Sequence, residues 1–244
     1  MPDTQIQTLP KCQVCKLRKQ NSFCDLPLEA LIELERIRQV KAFAPGERIF
    51  DEGKPVSDLM IVCDGAAALT FSSCRGNCVM LGLSETGEVL GLSSALSGHA
   101  HEVSAEALAK TQVTVIAAAD FVRFLKRFPC AAMNAGTELS RKVNRAYDKI
   151  RLIGSGLSVP QRLAAWLLHM QETHSEGSDL VIVPLTHERI AQMIGVSRES
   201  ITRGLSNLRK RGIIEIRGIH FYIRDRNRLR SVLQGCERVR QTST

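Results

Sequence analysis

One stretch limits what this chain can become more than any other: residues 185–223, LTHERIAQMIGVSRESITRGLSNLRKRGIIEIRGIHFYI. Ile190, Ala191 and Ile194 recur at helical spacing, and so do Val196, Ile201, Leu205 and Leu208. Thr186 stands where a hydroxyl can cap the first helix, and Ser197 where one can cap the second, which opens with Arg198, Glu199 and Ser200. Gly195 falls between them, at the place for a helix-ending residue of positive φ. Residues 213–216 and 219–223 then flank Arg217-Gly218 as two short apolar strands would flank a turn. Two helices, a tight turn and a hairpin make a winged helix-turn-helix. The second helix of such a unit offers its N-terminal side chains to the major groove of double-stranded DNA.

The charge distribution points the same way. Of the formal +8, residues 155–244 carry 14 Lys and Arg against 8 Asp and Glu, while residues 1–154 carry 19 against 17. A basic C-terminal part beside a near-neutral N-terminal part suits a nucleic-acid binder with a separate control domain. No apolar run of about 18 residues and no apolar leader is present, so the expectation is a soluble, cytoplasmic protein without a membrane partner.

Upstream, residues 27–41 carry Leu28, Leu31, Ile32, Leu34 and Ile37 at three- and four-residue steps, which predicts an amphipathic helix. Residues 42–118 change to short apolar runs punctuated by turns such as Pro45-Gly46, Asp64-Gly65 and Thr86-Gly87, as in an all-β sandwich or barrel. Residues 120–128 and 131–153 read as helices. The longer one bears Leu139, Val143, Tyr147, Ile150 and Ile153 as an apolar stripe of alternating four- and three-residue steps, the pattern of a two-helix seam; it suits a homodimer, the alternative being packing against its own domain. Gly154-Ser155-Gly156 is the expected hinge, followed by a helix over 160–173 and a last one over 227–239, with a frayed tail at 240–244.

SRExxxR in the second helix, RKRGII after it and the wing resemble the DNA-binding domain of the CRP/FNR family of bacterial transcription regulators. FAPGERIFDEG from Phe43 and GEVLGLSSALSG from Gly87 resemble the opening and middle of that family's sensor roll. The resemblance implies an α+β architecture of four segments. These are a cysteine-containing segment at 1–26, a double-stranded β-roll resembling a cyclic nucleotide-binding domain at 27–128, a dimerisation helix at 129–154 and the winged helix-turn-helix at 155–244. It also implies RNA polymerase as a partner. In the cyclic-AMP receptor branch the residues matching Arg198, Glu199 and Arg203 read a TGTGA-type half-site, so an inverted repeat of such half-sites is expected. Arg can fork onto guanine O6 and N7, and Glu can accept from cytosine N4. Ser197 and Ser200 lie at the same helix start, and Thr186, His187 and Arg209 are expected to contact phosphates. Gly204 departs from the pattern, since an apolar residue usually follows the Arg, and glycine inside a helix costs about 1 kcal/mol.

Eight cysteines in a chain without a leader point to metal or redox chemistry before a disulfide framework. Cys12-x-x-Cys15 and Cys24 lie in a segment expected to have no regular structure of its own. They resemble the N-terminal cluster of FNR-type oxygen sensors, which implies a 4Fe-4S cluster and a redox or oxygen signal. Zinc, a dithiol switch and free thiols are the alternatives. The gap from Cys15 to Cys24 is longer than in those sensors, and Val115 or a neighbour stands where their distant ligand lies. Cys63, Cys74, Cys78 and Cys130 remain as substitutes, and Cys74 and Cys78 could also meet across a hairpin tip as a disulfide. A cyclic nucleotide is poorly provided for, because no Arg lies between Arg75 and Arg123 to hold its phosphate. A small-molecule-responsive regulator without a cluster is one alternative. A cupin-like metal-dependent enzyme on His99, His101 and Glu106 is another.

Overall fold

A computed structural model describes residues 9–19, 22–72, 78–154, 156–174, 180–182, 185–217 and 220–235. Packing divides the chain into residues 1–146 and 147–244.

The first unit opens with 3-10 turns at Cys12–Val14 and Lys16–Lys19, where the sequence suggested no regular structure. The Cys15 amide closes the first turn onto the Cys12 carbonyl at 3.4 Å. Helix α1 (Leu28–Ile37) buries Ala30, Leu31 and Leu34 and leaves Leu28 and Ile32 exposed. It is shorter than the expected 27–41. The backbone from Arg38 onward forms β1 (Arg38–Phe43) and pairs with β8 (Thr111–Ala117), and strand pairing overrides the helical spacing there.

Between these strands lie β2 (Arg48–Phe50), β3 (Asp58–Asp64), β4 (Ala66–Ser72), β5 (Cys78–Glu85), β6 (Val89–Leu90), helix α2 (Leu92–Ser97) and β7 (Ser104–Ala107). They form two antiparallel four-stranded sheets, β1-β8-β3-β6 and β2-β7-β4-β5. Phe43, Val62 and Val113 of the first sheet and Ile49, Ala67 and Ala105 of the second share one apolar core. The first sheet is buried on its other face too. Leu59, Ile61 and Ile116 pack there against α1, α2, the helix α3 (Ala118–Arg127), and Phe23 and Leu26 of the N-terminal segment. Gly65, at φ 89°, turns β3 into β4; a Cβ there would lie 2.7 Å from the Lys110 carbonyl, so only glycine fits.

Helix α4 (Pro129–Gly154) continues past the division between the two units. Its first turns are fixed to the roll. Ala131 and Ala135 join the core below the first sheet. The buried Glu138 accepts the Val89 N–H at 3.3 Å, Lys142 donates to the Val89 carbonyl, and Arg145 pairs with Glu88 at 2.5 Å.

The second unit contains α5 (Val159–His174), β9 (Leu180–Ile182), α6 (His187–Ile194), α7 (Arg198–Lys210), β10 (Ile214–Arg217), β11 (His220–Ile223) and α8 (Arg226–Leu233). The strands pair in the order β10-β11-β9. Leu163 and Leu167 of α5, Ile190 and Ile194 of α6, and Ile201, Leu205 and Leu208 of α7 are all buried. Ser155 of the expected hinge, Gly218 and Ile219 at the wing tip, and residues 236–244 lie outside the described residues.

Candidate nucleic-acid interface and cysteine cavity

The helix-turn-helix is built by the residues the sequence marked. Thr186 Oγ1 accepts the Arg189 N–H at 3.3 Å and starts α6. Gly195 takes φ 70° and ends it, donating its N–H to Ala191. Ser197 Oγ accepts the Ser200 N–H at 3.2 Å and starts α7, and it also donates to Ser200 Oγ at 3.1 Å. Arg162 of α5 locks the turn from behind, with its guanidinium on the carbonyls of Ile194 and Gly195.

With Ile201, Leu205 and Leu208 turned inward, Arg198, Glu199, Arg203 and Arg209 of α7 are left exposed. At about 100° per residue, Glu199 and Arg203 lie nearly opposite the buried stripe. The Glu199 carboxyl sits below the usual carboxylate range, held there by its own backbone N–H and by Ser197, so it is an ionised acceptor. His187 Nδ1 meets Thr202 Oγ1 at 3.1 Å, and Thr202 Oγ1 donates to the Arg198 carbonyl. Thr202 thus joins α6 to α7, a role that spacing alone did not mark. The wing adds Arg217 and Arg224, each over the Tyr222 ring and each paired with Glu215.

Gly204 has a packing reason. A Cβ there would lie 2.9 Å from Leu163 Cδ2, so any larger residue needs the end of that leucine to shift.

On α4, Val143, Tyr147 and Ile150 are exposed. Leu139 is partly buried against the core of the roll. The Ile153 side chain lies outside the described residues.

The cysteine segment folds onto the roll. Cys12 and Cys24 are buried and Cys15 half-buried. They line a cavity of about 620 Å³ together with Cys63 of β3, Arg38 and Thr114. Burial pushes the Cys12 thiol up to about 12, against the pull of Arg38, and burial also raises Cys24 and Cys63. The neighbouring cysteines add to the rise at each. Glu35 accepts the Cys12 backbone N–H at 2.7 Å and pairs with Arg38, also at 2.7 Å. Arg38 donates in turn to the Pro10 carbonyl at 3.2 Å. Asn134 of α4 donates to the carbonyls of Phe23 and Asp25, which flank Cys24. These anchors went unnoticed in the sequence, although Glu35-x-x-Arg38 is a charged pair at helical spacing next to the cysteines.

On β8 it is Thr114, beside Val115, that faces the cavity; Val115 packs toward the core between the sheets. Cys130 packs against the apolar core below the first sheet, Cys78 is exposed, and Cys74 lies outside the described residues, so the Cys74–Cys78 disulfide does too. Among the described residues no three His, Cys, Asp or Glu side chains are already gathered around one point as a metal ion would require.

Among the described residues, His99, His101 and Glu106 are not gathered around one point. His99 is exposed, while His101 is buried and stacked on Phe50 with ring centroids 4.0 Å apart. Glu106 sits in β7 opposite Arg48 and Ala68. At the head of α2, Glu102 accepts hydroxyl bonds from Ser93 at 2.9 Å and Ser94 at 3.0 Å.

Two family models match the two halves of this arrangement: a cyclic nucleotide-binding domain over residues 40–128 and a Crp-like helix-turn-helix domain over 161–232. The chain belongs to the CRP/FNR family. Among its relatives, the nitrogen fixation regulation protein FixK of Bradyrhizobium diazoefficiens is 28% identical over 208 residues, 84% of this chain and 86% of that one. The cyclic AMP receptor protein of Thermus thermophilus is 26% identical over 73% of this chain and 80% of its own length. The solved structure of FixK2 from Bradyrhizobium japonicum shares the fold, with a TM-score of 0.71 at 23% identity over 80% of this chain and 97% of that one. This CRP/FNR protein is a DNA-binding transcription regulator. Among the described residues, no helix is long and apolar enough to cross a membrane.

Proposed function

We propose that this CRP/FNR regulator acts as a homodimer on an inverted repeat of TGTGA-like half-sites, and that a redox or oxygen signal reaches it through its N-terminal cysteines. The observation that carries the DNA reading is the exposed Arg198–Glu199–Arg203 set on a capped helix whose other face is buried. Two guanidinium forks and one ionised carboxylate suit guanine, guanine and cytosine edges in one half-site. Thr186, His187 and Arg209 suit phosphates on either side, and RNA polymerase is the partner to which a bound dimer would be presented.

The homodimer is supported by Val143, Tyr147 and Ile150, three exposed apolar side chains at four- and three-residue steps along α4. A two-fold protein matches two half-sites one helical turn apart.

For the signal, Cys12, Cys15 and Cys24 line one cavity, in a segment anchored by Glu35 and Asn134. Soft sulfur donors lining one cavity are a donor set that suits a thiophilic centre. These cysteines would hold a 4Fe-4S cluster, which when bound supplies sensitivity to oxidants. The protein's own part is to bury the sulfurs, to place Arg38 beside them and to tie Cys24 to α4.

A cyclic nucleotide, the ligand named for the Thermus relative, is not favoured. Glu102 already occupies the hydroxyls of Ser93 and Ser94, and its carboxylate would repel a phosphate.

The test is anaerobic protein, analysed for iron and acid-labile sulfide and titrated with a duplex carrying the inverted repeat, before and after exposure to air. The expected result is bound iron and sulfide, two chains per duplex and an affinity that air changes. Protein without iron or sulfide would overturn the cluster. Equal affinity for a scrambled duplex would overturn the site.

A further inference from the structure

We propose that Cys63 supplies the fourth sulfur of the cysteine centre, from strand β3 rather than from β8, giving a four-thiolate site of Cys12, Cys15, Cys24 and Cys63. The proposal rests on the reading of a thiolate centre given above and adds to it the ligand that closes the site.

Three observations carry it. The first is direction. Along β3, Leu59 and Ile61 face the core on which the N-terminal segment packs, whereas Met60 and Val62 face the core between the sheets. Alternation puts Cys63 on the side of Leu59 and Ile61. The pairing of β3 with β8 shifts register between Val62 and Asp64, so Cys63 sits at the irregularity, where a side chain can be re-aimed.

The second is a shared cavity wall. Cys12, Cys15, Cys24 and Cys63 line the same cavity, and the lining includes no other cysteine. The β8 residue beside Cys63 is Thr114, whose hydroxyl lies 3.4 Å from the Cys63 sulfur. A hydroxyl is a poor ligand for iron or zinc beside a thiolate.

The third is charge. Arg38, its side chain 8% exposed, lines the cavity and is held by Glu35 and Pro10. A four-thiolate centre is anionic, and a fixed guanidinium beside it offsets that charge. When the centre assembles, each cysteine loses its thiol proton to solvent and each sulfur gains a metal–sulfur bond, with no change of sulfur oxidation state.

The test uses the full chain, reconstituted anaerobically with equal amounts of ferric and ferrous iron and with sulfide, or purified with zinc, and reads iron, sulfide and zinc per chain. Wild type, Cys63→Ser, Cys130→Ser and the double variant Cys63→Ser with Thr114→Cys are compared, with circular dichroism recording the fold. The expected result is iron near the four of a 4Fe-4S centre in wild type and Cys130→Ser, at least a severalfold loss in Cys63→Ser, and recovery in the double variant. Recovery separates loss of a ligand from loss of the fold. Iron in Cys63→Ser equal to wild type would overturn the proposal and leave the cluster standing. Zinc bound in wild type in place of iron, and lost in Cys63→Ser, would overturn the iron–sulfur reading and keep the four-sulfur set. Neither metal bound would overturn both.

Discussion

Glu35 accepts the backbone N–H of Cys12 at 2.7 Å, so the last turn of α1 fixes the start of the cysteine segment. The carboxylate keeps below its ordinary range even though burial pushes it up, because the Cys12 N–H and the Arg38 guanidinium both donate to it. Glu35→Ala leaves a part-buried N–H without a partner, at a cost of about 1–3 kcal/mol. The expected outcome is faster amide exchange across residues 12–15 with little change in circular dichroism. Unchanged exchange there would show that the segment is held by its apolar contacts alone.

Arg203 and Arg209 are expected to differ in kind. Arg203→Ala should weaken the inverted repeat by about 1–3 kcal/mol and relax preference at one base pair. Arg209→Ala should weaken all duplexes alike and lower the slope of log affinity against log salt by about one. Binding to a panel of single-base variants at several salt concentrations separates the two. The same footprint for both variants would refute the assignment.

Gly204 is set by two opposing effects. Alanine there gains about 1 kcal/mol of helix propensity but presses on Leu163, 2.9 Å away. Gly204→Ala is therefore expected within about 1 kcal/mol of wild type, because the contacting atom is the end of a leucine. Gly204→Leu overfills the α5–α7 contact and should cost about 1–3 kcal/mol. Urea unfolding of both variants checks the order.

His101 gives the roll a pH dependence. Burial lowers its pKa below 6.5, with Glu102 pulling back upward. A base depressed in the folded state binds fewer protons there than when unfolded, so stability is highest above pH 6.5 and falls as pH drops toward the folded pKa. His101→Asn should flatten that part of the curve. Urea midpoints of wild type and variant between pH 5 and 8, the range in which histidine titrates, test it.

The DNA-reading unit was legible because its signals are local. Thr186, Gly195 and Ser197 sit where caps must be, and one helical turn of sequence is enough to see it. The end of α1 was not, because the strand that begins at Arg38 is decided by its partner β8, far along the chain. The cost of Gly204 could be read, but its reason lies on another helix, at Leu163. Cys63 was one of four substitutes of equal standing. Its direction follows from strand parity and a register shift, which appear only when β3 is laid beside β8. The parity also decided between Val115 and Thr114 at the cavity wall.

The side-chain amide of Asn134 spans the carbonyls of Phe23 and Asp25, so Cys24 and the base of α4 are one hydrogen bond apart on either flank. The two sheets need not bend for news from Cys24 to reach that helix. Ala131 and Ala135 before Glu138, and Lys142 and Arg145 after it, hold this half of α4 to the roll. Cys24 and that half of the helix therefore belong to one scaffold, with Asn134 as the bolt between them.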